Sequence, residues 1–234
     1  MIQKGLRKRL SCYQIFKPIF MKEIKGIVFD MDGVLIDSEP VHIEAWNDVF
    51  AEFNLHFETE WFHQWIGVAD RNFTSKIIEQ YQLPTQSDTL LQAKRRVFEA
   101  KIAQGVPPHK GVKEAIPLLH RYDLAVATSS NRSGAMLSLK GAGLFDFFKD
   151  VITADDVLNH KPNPDCYLKA AQSLGFKPSD CIGIEDSASG IKAAKAAGLF
   201  VIGVSTSLPA HYLTEADLIL ENTEGAIHWI LNSF

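Results

Sequence analysis

Asp30 and Asp32 lie two residues apart, directly after the apolar run Ile27, Val28 and Phe29. Two more acids, Glu185 and Asp186, follow the run Cys181–Ile184. Thr128, Ser129, Ser130 and Asn131 follow Leu124–Ala127, and Lys161 stands in the stretch HKPNPD. Carboxylates this close repel one another, and burial makes each costlier, so a cation or a reaction must offset them. Asp30, Glu185 and Asp186, with no histidine or thiolate among them, make a hard-oxygen set that suits Mg²⁺ rather than zinc. Lys161 and the Thr128/Ser129 group add positive charge and hydrogen-bond donors. That combination fits phosphoryl transfer, where positioning and charge stabilisation do most of the catalysis. Singly, each residue has a plainer reading: a turn or cap for an Asp or Ser, a solvated surface for a Lys. Their joint occurrence after successive apolar runs is what favours chemistry.

Those residues converge only if the runs are strands of one parallel sheet. Lys25–Phe29 reads as a buried strand ended by Asp and Gly. After Lys110, short apolar strands (Leu124–Ala127, Val151–Thr153, Cys181–Ile184, Leu199–Val204, Leu218–Leu220) alternate with helices (Val112–Arg121, Arg132–Gly141, Asp165–Leu174, Ser189–Ala197 and a terminal one). Such alternation predicts a doubly wound, Rossmann-like α/β sheet with ligands at the strands' carboxyl ends. Between Pro40 and Gly105 the period is helical, with Val41, Ala45, Trp46, Val49, Phe50 and Phe53 on one helix. Further helices are expected over Glu58–Ile66, Asn72–Tyr81 and Ser87–Ala103. Three of the four tryptophans (Trp46, Trp61, Trp65) fall here and suit a small helical core. The expected organisation is an α/β core (23–38 and 106–234) with an inserted α-helical cap (39–105) beside the paired aspartates, and a basic extension over 1–22.

Composition limits the alternatives. The chain has 234 residues, 46% hydrophobic, with a formal net charge of -4, which gives no general reason to bind nucleic acid. Cys12, Cys166 and Cys181 are few, odd in number and far apart, which suits a reducing cytoplasm. The stretch from Ile15 to Phe20 is broken by Lys17 and Pro18, a poor signal-peptide core, and no segment reaches a membrane span of about 20 apolar residues. The residues before Met21 are expected to be dispensable, and the protein to be a monomer or weak dimer.

The motifs together resemble the haloacid dehalogenase-like superfamily, in particular its capped branch of small phosphatases and β-phosphoglucomutases. FDMDGVLIDSE, AVATSS, KPNPD and IGIEDSASGIKAAKAAG stand in that family's order and spacing, and the similarity covers nearly everything after Met21. The resemblance implies that Asp30 is the nucleophile and forms an aspartyl-phosphate. It implies that Asp32 is the general acid and then the base. Mg²⁺ would be held by Asp30, the Asp32 backbone carbonyl, Asp186 and Glu185, and phosphoryl oxygens by Thr128, Ser129 and Lys161. HIEAW, with His42, is similar to a stretch shared by β-phosphoglucomutases and several sugar phosphatases. GVADR ends in Arg71, one residue out of register with the arginine those mutases place on a distal phosphate. Arg95 and Arg96 suit a solvated helix face.

The resemblance thus implies a Mg²⁺-dependent phosphatase of small phosphorylated metabolites, sugar phosphates above all. A β-phosphoglucomutase interconverting β-glucose 1-phosphate and glucose 6-phosphate is the rival. A true dehalogenase needs no Mg²⁺ and has no use for Asp32, Glu185 and Asp186, and a silent binding module has no use for the intact set.

Overall fold

In a computed structural model of the chain, residues 23–65 and 70–234 are described. The basic N-terminal stretch and Gly67–Ala69 of the GVADR motif lie outside them. Six parallel strands form one sheet: β1 (Gly26–Phe29), β2 (Asp123–Ala127), β3 (Asp150–Ile152), β4 (Cys181–Glu185), β5 (Phe200–Val204) and β6 (Leu218–Leu220), in the order β3-β2-β1-β4-β5-β6. Both faces of β1 are buried, as expected of a central strand in a parallel sheet. Side chains alternate between faces. Ile27 and Phe29 join Val126, Ile182 and Ile184 in one core cluster, and Val28 joins Ala125, Ala127 and Tyr167 in the other.

Helices α1 (Glu39–Ala51), α2 (Thr59–His63), α3 (Asp70–Tyr81) and α4 (Ser87–Ile102) lie between β1 and β2 in the chain. They bury their own apolar cluster around Trp46, Phe50, Phe73, Ile77 and Leu90. Asn47 locks the turn after α1, its amide donating to the Phe57 carbonyl and its oxygen accepting from the Phe57 N–H, both at 2.9 Å. The chain crosses between helical unit and sheet twice, and the crossings are paired. The Asp37 N–H donates to the Pro107 carbonyl (3.1 Å) and the His109 N–H to that of Leu35 (3.0 Å), around an antiparallel bridge between Ile36 and Pro108.

The remaining helices cover the sheet: α5 (Val112–Ala115), α6 (Arg132–Gly141), α7 (Asp165–Ser173), α8 (Ala188–Ala197) and α9 (Thr223–Ser233). The single helix expected over Val112–Arg121 is instead a short α-helix running into a 3₁₀ turn, Ile116–Leu119. Pro117 lacks the N–H that an α-helix would use there. The helix expected over Glu58–Ile66 ends earlier, at His63, with Ile66 itself outside the described residues, and the other strand and helix ends differ from the expected ranges by a residue or two, the margin within which helix ends fray.

Beyond β3, Asp156 accepts from the Thr153 N–H (2.8 Å), the Thr153 hydroxyl (2.7 Å) and the Arg132 guanidinium (2.5 Å). Burial pushes its pKa up, but these donors outweigh that and hold it down at about 2. A carboxylate depressed in the folded state contributes stability above its unfolded value of about 3.9 and loses it as pH falls through the folded one. Asp156→Asn is therefore expected to cost about 1–3 kcal/mol near neutrality and progressively less toward pH ~3. Urea midpoints of both proteins across that range check it. A pH-independent gap would assign the effect to packing.

Candidate active site

The carboxyl ends of β1, β2 and β4 meet at the middle of the sheet. The ladder continues one residue past β1, with the Asp30 N–H donating to the Ile184 carbonyl at 2.9 Å, so the Asp30 side chain stands next to those of Glu185 and Asp186. Carboxylate oxygens of these three buried residues lie within 4.8 Å of one another. Lys161 reaches them from the segment before α7. Its ammonium, on a side chain only 6% exposed, donates to Asp30 Oδ1 (2.7 Å), Glu185 Oε1 (2.6 Å) and the Ala127 carbonyl (3.0 Å).

Glu185 is fully bonded. Oε1 also accepts from the Tyr167 hydroxyl (2.8 Å), and Oε2 from the Asp186 N–H, the Ser187 N–H and the Ser187 hydroxyl. Two glycines make room. A side chain at Gly190 would collide with the Glu185 carboxylate, and one at Gly33 with Asp186 and Ser207. Gly33 also turns at φ 77°, where glycine is unstrained.

Asp32 projects from the loop after β1, which winds so tightly that the Val34, Leu35 and Ile36 N–H groups all approach the Met31 carbonyl. Its Oδ1 accepts from the Ser38 hydroxyl (2.6 Å) and its Oδ2 from the Ser130 hydroxyl (2.9 Å). Both oxygens are thereby aimed, one from the helical unit's threshold and one from the loop after β2. Thr128 is buried, and its Oγ1 accepts from the Ser130 N–H (3.0 Å).

The site is short of positive charge. Burial pushes Asp30 up to about 7, with Glu185 and Asp32 adding repulsion and Lys161 opposing. Burial, then the charges of Glu185 and Asp30, also raises Asp186, against a hydrogen bond from Ser207. Burial opposes charge on Lys161, but the two carboxylates prevail and hold it protonated. One ammonium facing three buried carboxylates leaves a deficit that a divalent cation would fill. The all-oxygen donor set is chemically suited to Mg²⁺.

A cavity of about 350 Å³ opens above this cluster, between the sheet edge and the helical unit. Asp30, Asp32, Thr128, Ser129, Lys161 and Asp186 line its floor, and His42 its opposite wall. Glu185 lies beneath, fully buried. Arg71 does not line the cavity. It sits at the start of α3, its side chain 71% exposed, and pairs with Asp88 of α4 at 2.6 Å. Arg95 and Arg96 are exposed on α4.

The cation that does face the cavity from the helical unit is Lys94, 8% exposed, which the sequence did not single out. Its ammonium lies 2.7 Å from His42 Nδ1 and over the Trp46 and Phe98 rings. Burial, helped by the Lys94 charge, lowers the His42 pKa to about 3, so the imidazole is neutral. An ammonium only donates, so Nδ1 accepts and the ring proton sits on Nε2. Ser38, Tyr167 and Ser207 were likewise missed, whereas Ser130 was named only as part of the hydroxyl run after β2, without its bond to Asp32.

A parallel sheet that gathers two carboxylates two residues apart, a buried lysine and a hard-oxygen cluster at the carboxyl ends of its central strands is an α/β enzyme architecture whose site suits phosphoester hydrolysis. The comparisons make the assignment particular. Residues 27–204 match the family model described as haloacid dehalogenase-like hydrolase, and the chain belongs to that family. It is 33% identical over 179 residues to a fructose-1-phosphate phosphatase of Escherichia coli, covering 76% of this chain and 95% of that one. It is 26% identical over 207 residues to the β-phosphoglucomutase of Bacillus subtilis, covering 86% and 90%. Its fold is similar to the crystal structure described as a putative β-phosphoglucomutase from Thermotoga maritima, with TM-score 0.75, 27% identity and coverage of 90% and 100%. No described helix is long and apolar enough to cross a membrane.

Proposed function

We propose that the protein is a Mg²⁺-dependent phosphatase of small phosphorylated metabolites, sugar phosphates foremost, working through an aspartyl-phosphate on Asp30. The observation that carries this reading is the division of labour between the two aspartates. Asp30 has Oδ1 bonded by Lys161 and belongs to the acidic cluster, whereas Asp32 is bonded by hydroxyls on both oxygens and lies outside it. The first suits attack on phosphorus, the second proton transfer.

In the forward step an Asp30 oxygen bonds to phosphorus as the ester P–O bond breaks, and Asp32 gives its proton to the departing oxygen. Asp32 then takes a proton from water, which attacks phosphorus and releases Asp30 and inorganic phosphate. Lys161, Thr128 and Ser129 hold the phosphoryl oxygens. Asp30, Asp186, Glu185 and the Asp32 carbonyl would hold Mg²⁺, which supplies the charge that lets a phosphate dianion approach Asp30. The unit over 39–105 acts as a cap, and His42 couples its closure to substrate. The family match and the E. coli relative support hydrolysis of a sugar phosphate. The placement of Arg71 against Asp88 weighs against a grip on a distal phosphate, which a mutase needs. The free, buried Cys166 and Cys181 fit a reducing compartment such as the cytoplasm.

The test supplies metal-free protein, with and without added Mg²⁺, with β-glucose 1-phosphate and a trace of the 1,6-bisphosphate. Products are followed by phosphorus NMR. Inorganic phosphate appearing only with the metal is expected. Full activity in metal-free buffer would sink the metal assignment, and glucose 6-phosphate forming faster than inorganic phosphate would favour the mutase.

A further inference from the structure

Resting on the phosphatase reading, we propose that Tyr167 is a positioning residue: its hydroxyl, by holding Glu185 Oε1, fixes the place of the Lys161 ammonium and thereby that lysine's grip on the transferring phosphoryl group. Tyr167 sits on α7, fully buried, and its ring joins Val28 and Ala127 in the apolar cluster on one face of the sheet. Its one polar side-chain group stands at the far end of that ring and bonds Glu185 Oε1 at 2.8 Å. A carboxylate only accepts, so the phenol is the donor. The same oxygen accepts from Lys161 at 2.6 Å, and the Lys161 ammonium lies 5.0 Å from the centre of the Tyr167 ring. One buried side chain therefore touches both members of the ion pair, yet takes no part in the bond changes of the reaction.

An ammonium has three N–H groups, and those of Lys161 have three acceptors: Asp30 Oδ1, Glu185 Oε1 and the Ala127 carbonyl. The three bonds fare differently when substrate binds. The Ala127 carbonyl belongs to β2 and is held by the sheet. Asp30 becomes bonded to phosphorus, so its bond to Lys161 is the one given up to phosphoryl oxygens. Glu185 must then hold the ammonium through the exchange. Its Oε2 is anchored by the Asp186 and Ser187 N–H groups and the Ser187 hydroxyl. The terminal torsion of a glutamate is soft, so anchoring one oxygen does not fix the other. Without the Tyr167 hydroxyl, the lysine is left to fix the oxygen that must fix the lysine. Tyr167→Phe removes this one bond and keeps the ring, its packing and its contact with the ammonium, so it isolates the hydroxyl.

The experiment uses the full chain with Mg²⁺ and compares wild type with Tyr167→Phe by kcat/KM for p-nitrophenyl phosphate, by calorimetric affinity for inorganic phosphate and by melting temperature. The variant is expected to fold, with kcat/KM lower by at least ~10-fold and phosphate affinity lower by roughly 3-fold or more, on the scale of a lost hydrogen bond to a charged group. In a Lys161→Met background the same substitution is expected to leave phosphate affinity within about 2-fold, because the hydroxyl acts through the lysine. A Tyr167→Phe protein that melts lower but keeps wild-type kcat/KM and phosphate affinity overturns the proposal, as does one that does not fold, since either makes the bond purely structural. An equal loss of phosphate affinity with and without Lys161 overturns it too. Should Lys161→Met not fold or not bind phosphate, the wild-type background decides alone. No phosphate release by the wild type from p-nitrophenyl phosphate or β-glucose 1-phosphate would instead overturn the phosphatase reading itself.

Discussion

Asp30→Asn is expected to lower turnover by at least about 10⁴-fold, as loss of a covalent nucleophile does, while the melting temperature stays level or rises. The two halves of that expectation come from one geometry. The amide keeps the carboxylate's shape but cannot attack phosphorus. It also removes one of three buried carboxylates that crowd within 4.8 Å, while Lys161 keeps its 2.6 Å bond to Glu185. Burial already disfavours charge on Asp30, pushing it up to about 7, so neutralising it relieves the folded state. Steady-state hydrolysis of p-nitrophenyl phosphate with parallel thermal melts reads both. Wild-type turnover would remove Asp30 from the nucleophile's role, and a large fall in melting temperature would show that the Lys161–Asp30 bond outweighs the repulsion.

Lys161→Met carries the opposite sign for stability. It deletes the amine that bonds Asp30, Glu185 and the Ala127 carbonyl. Removing one partner of a buried ionic cluster costs about 3–5 kcal/mol because the remaining charges go uncompensated. Turnover should also be lost, since the ammonium sits where phosphate must approach Asp30. Urea denaturation without added metal gives the clearest reading. The double variant with Asp30→Asn should recover part of the loss, a coupling of the size neighbouring charges show. Additive losses would mean the two groups do not share one electrostatic unit. Excess Mg²⁺ should narrow the gap by binding the folded state.

The core of this site could be read from the sequence because each of its acids stands at the end of a strand or within three residues of it. A buried apolar run ended by Asp or Glu is a local signal, and a parallel sheet then aligns the ends without further information. Asp30, Asp32, Thr128, Glu185 and Asp186 were found that way, and Lys161 through its motif. Lys94 was not, because nothing local separates it from Arg95 and Arg96. Its meaning arises when α4 packs on α1 and brings it to His42, 52 positions away in the chain. Ser38 acquires its role only when the loop after β1 folds back on Asp32. Arg71 was named through a motif match one residue out of register, and in this structure its guanidinium pairs with Asp88. The helix over Val112–Arg121 was overextended because its apolar period continues through Pro117, where the backbone hydrogen bonding changes.

The paired crossings between sheet and helical unit bear on how such a protein can be remodelled. Because the bridge from Ile36 to Pro108 holds the chain's exit and re-entry side by side, about one strand spacing apart, the ends of whatever lies between them are already joined as far as the sheet is concerned. Closing a loop from such a start costs little more for a long insertion than for a short one. The sheet can accordingly take insertions of different length there, provided that Ser38 keeps its bond to Asp32 and that α1 and α4 still supply Ala45, Phe98 and Ile102 to the core cluster of the sheet. Exchange of the stretch between Asp37 and Pro107 as a single block is the economical way to give one reactive edge a new clientele. Point changes within α1–α4 must instead respect an aromatic core that is packed on itself.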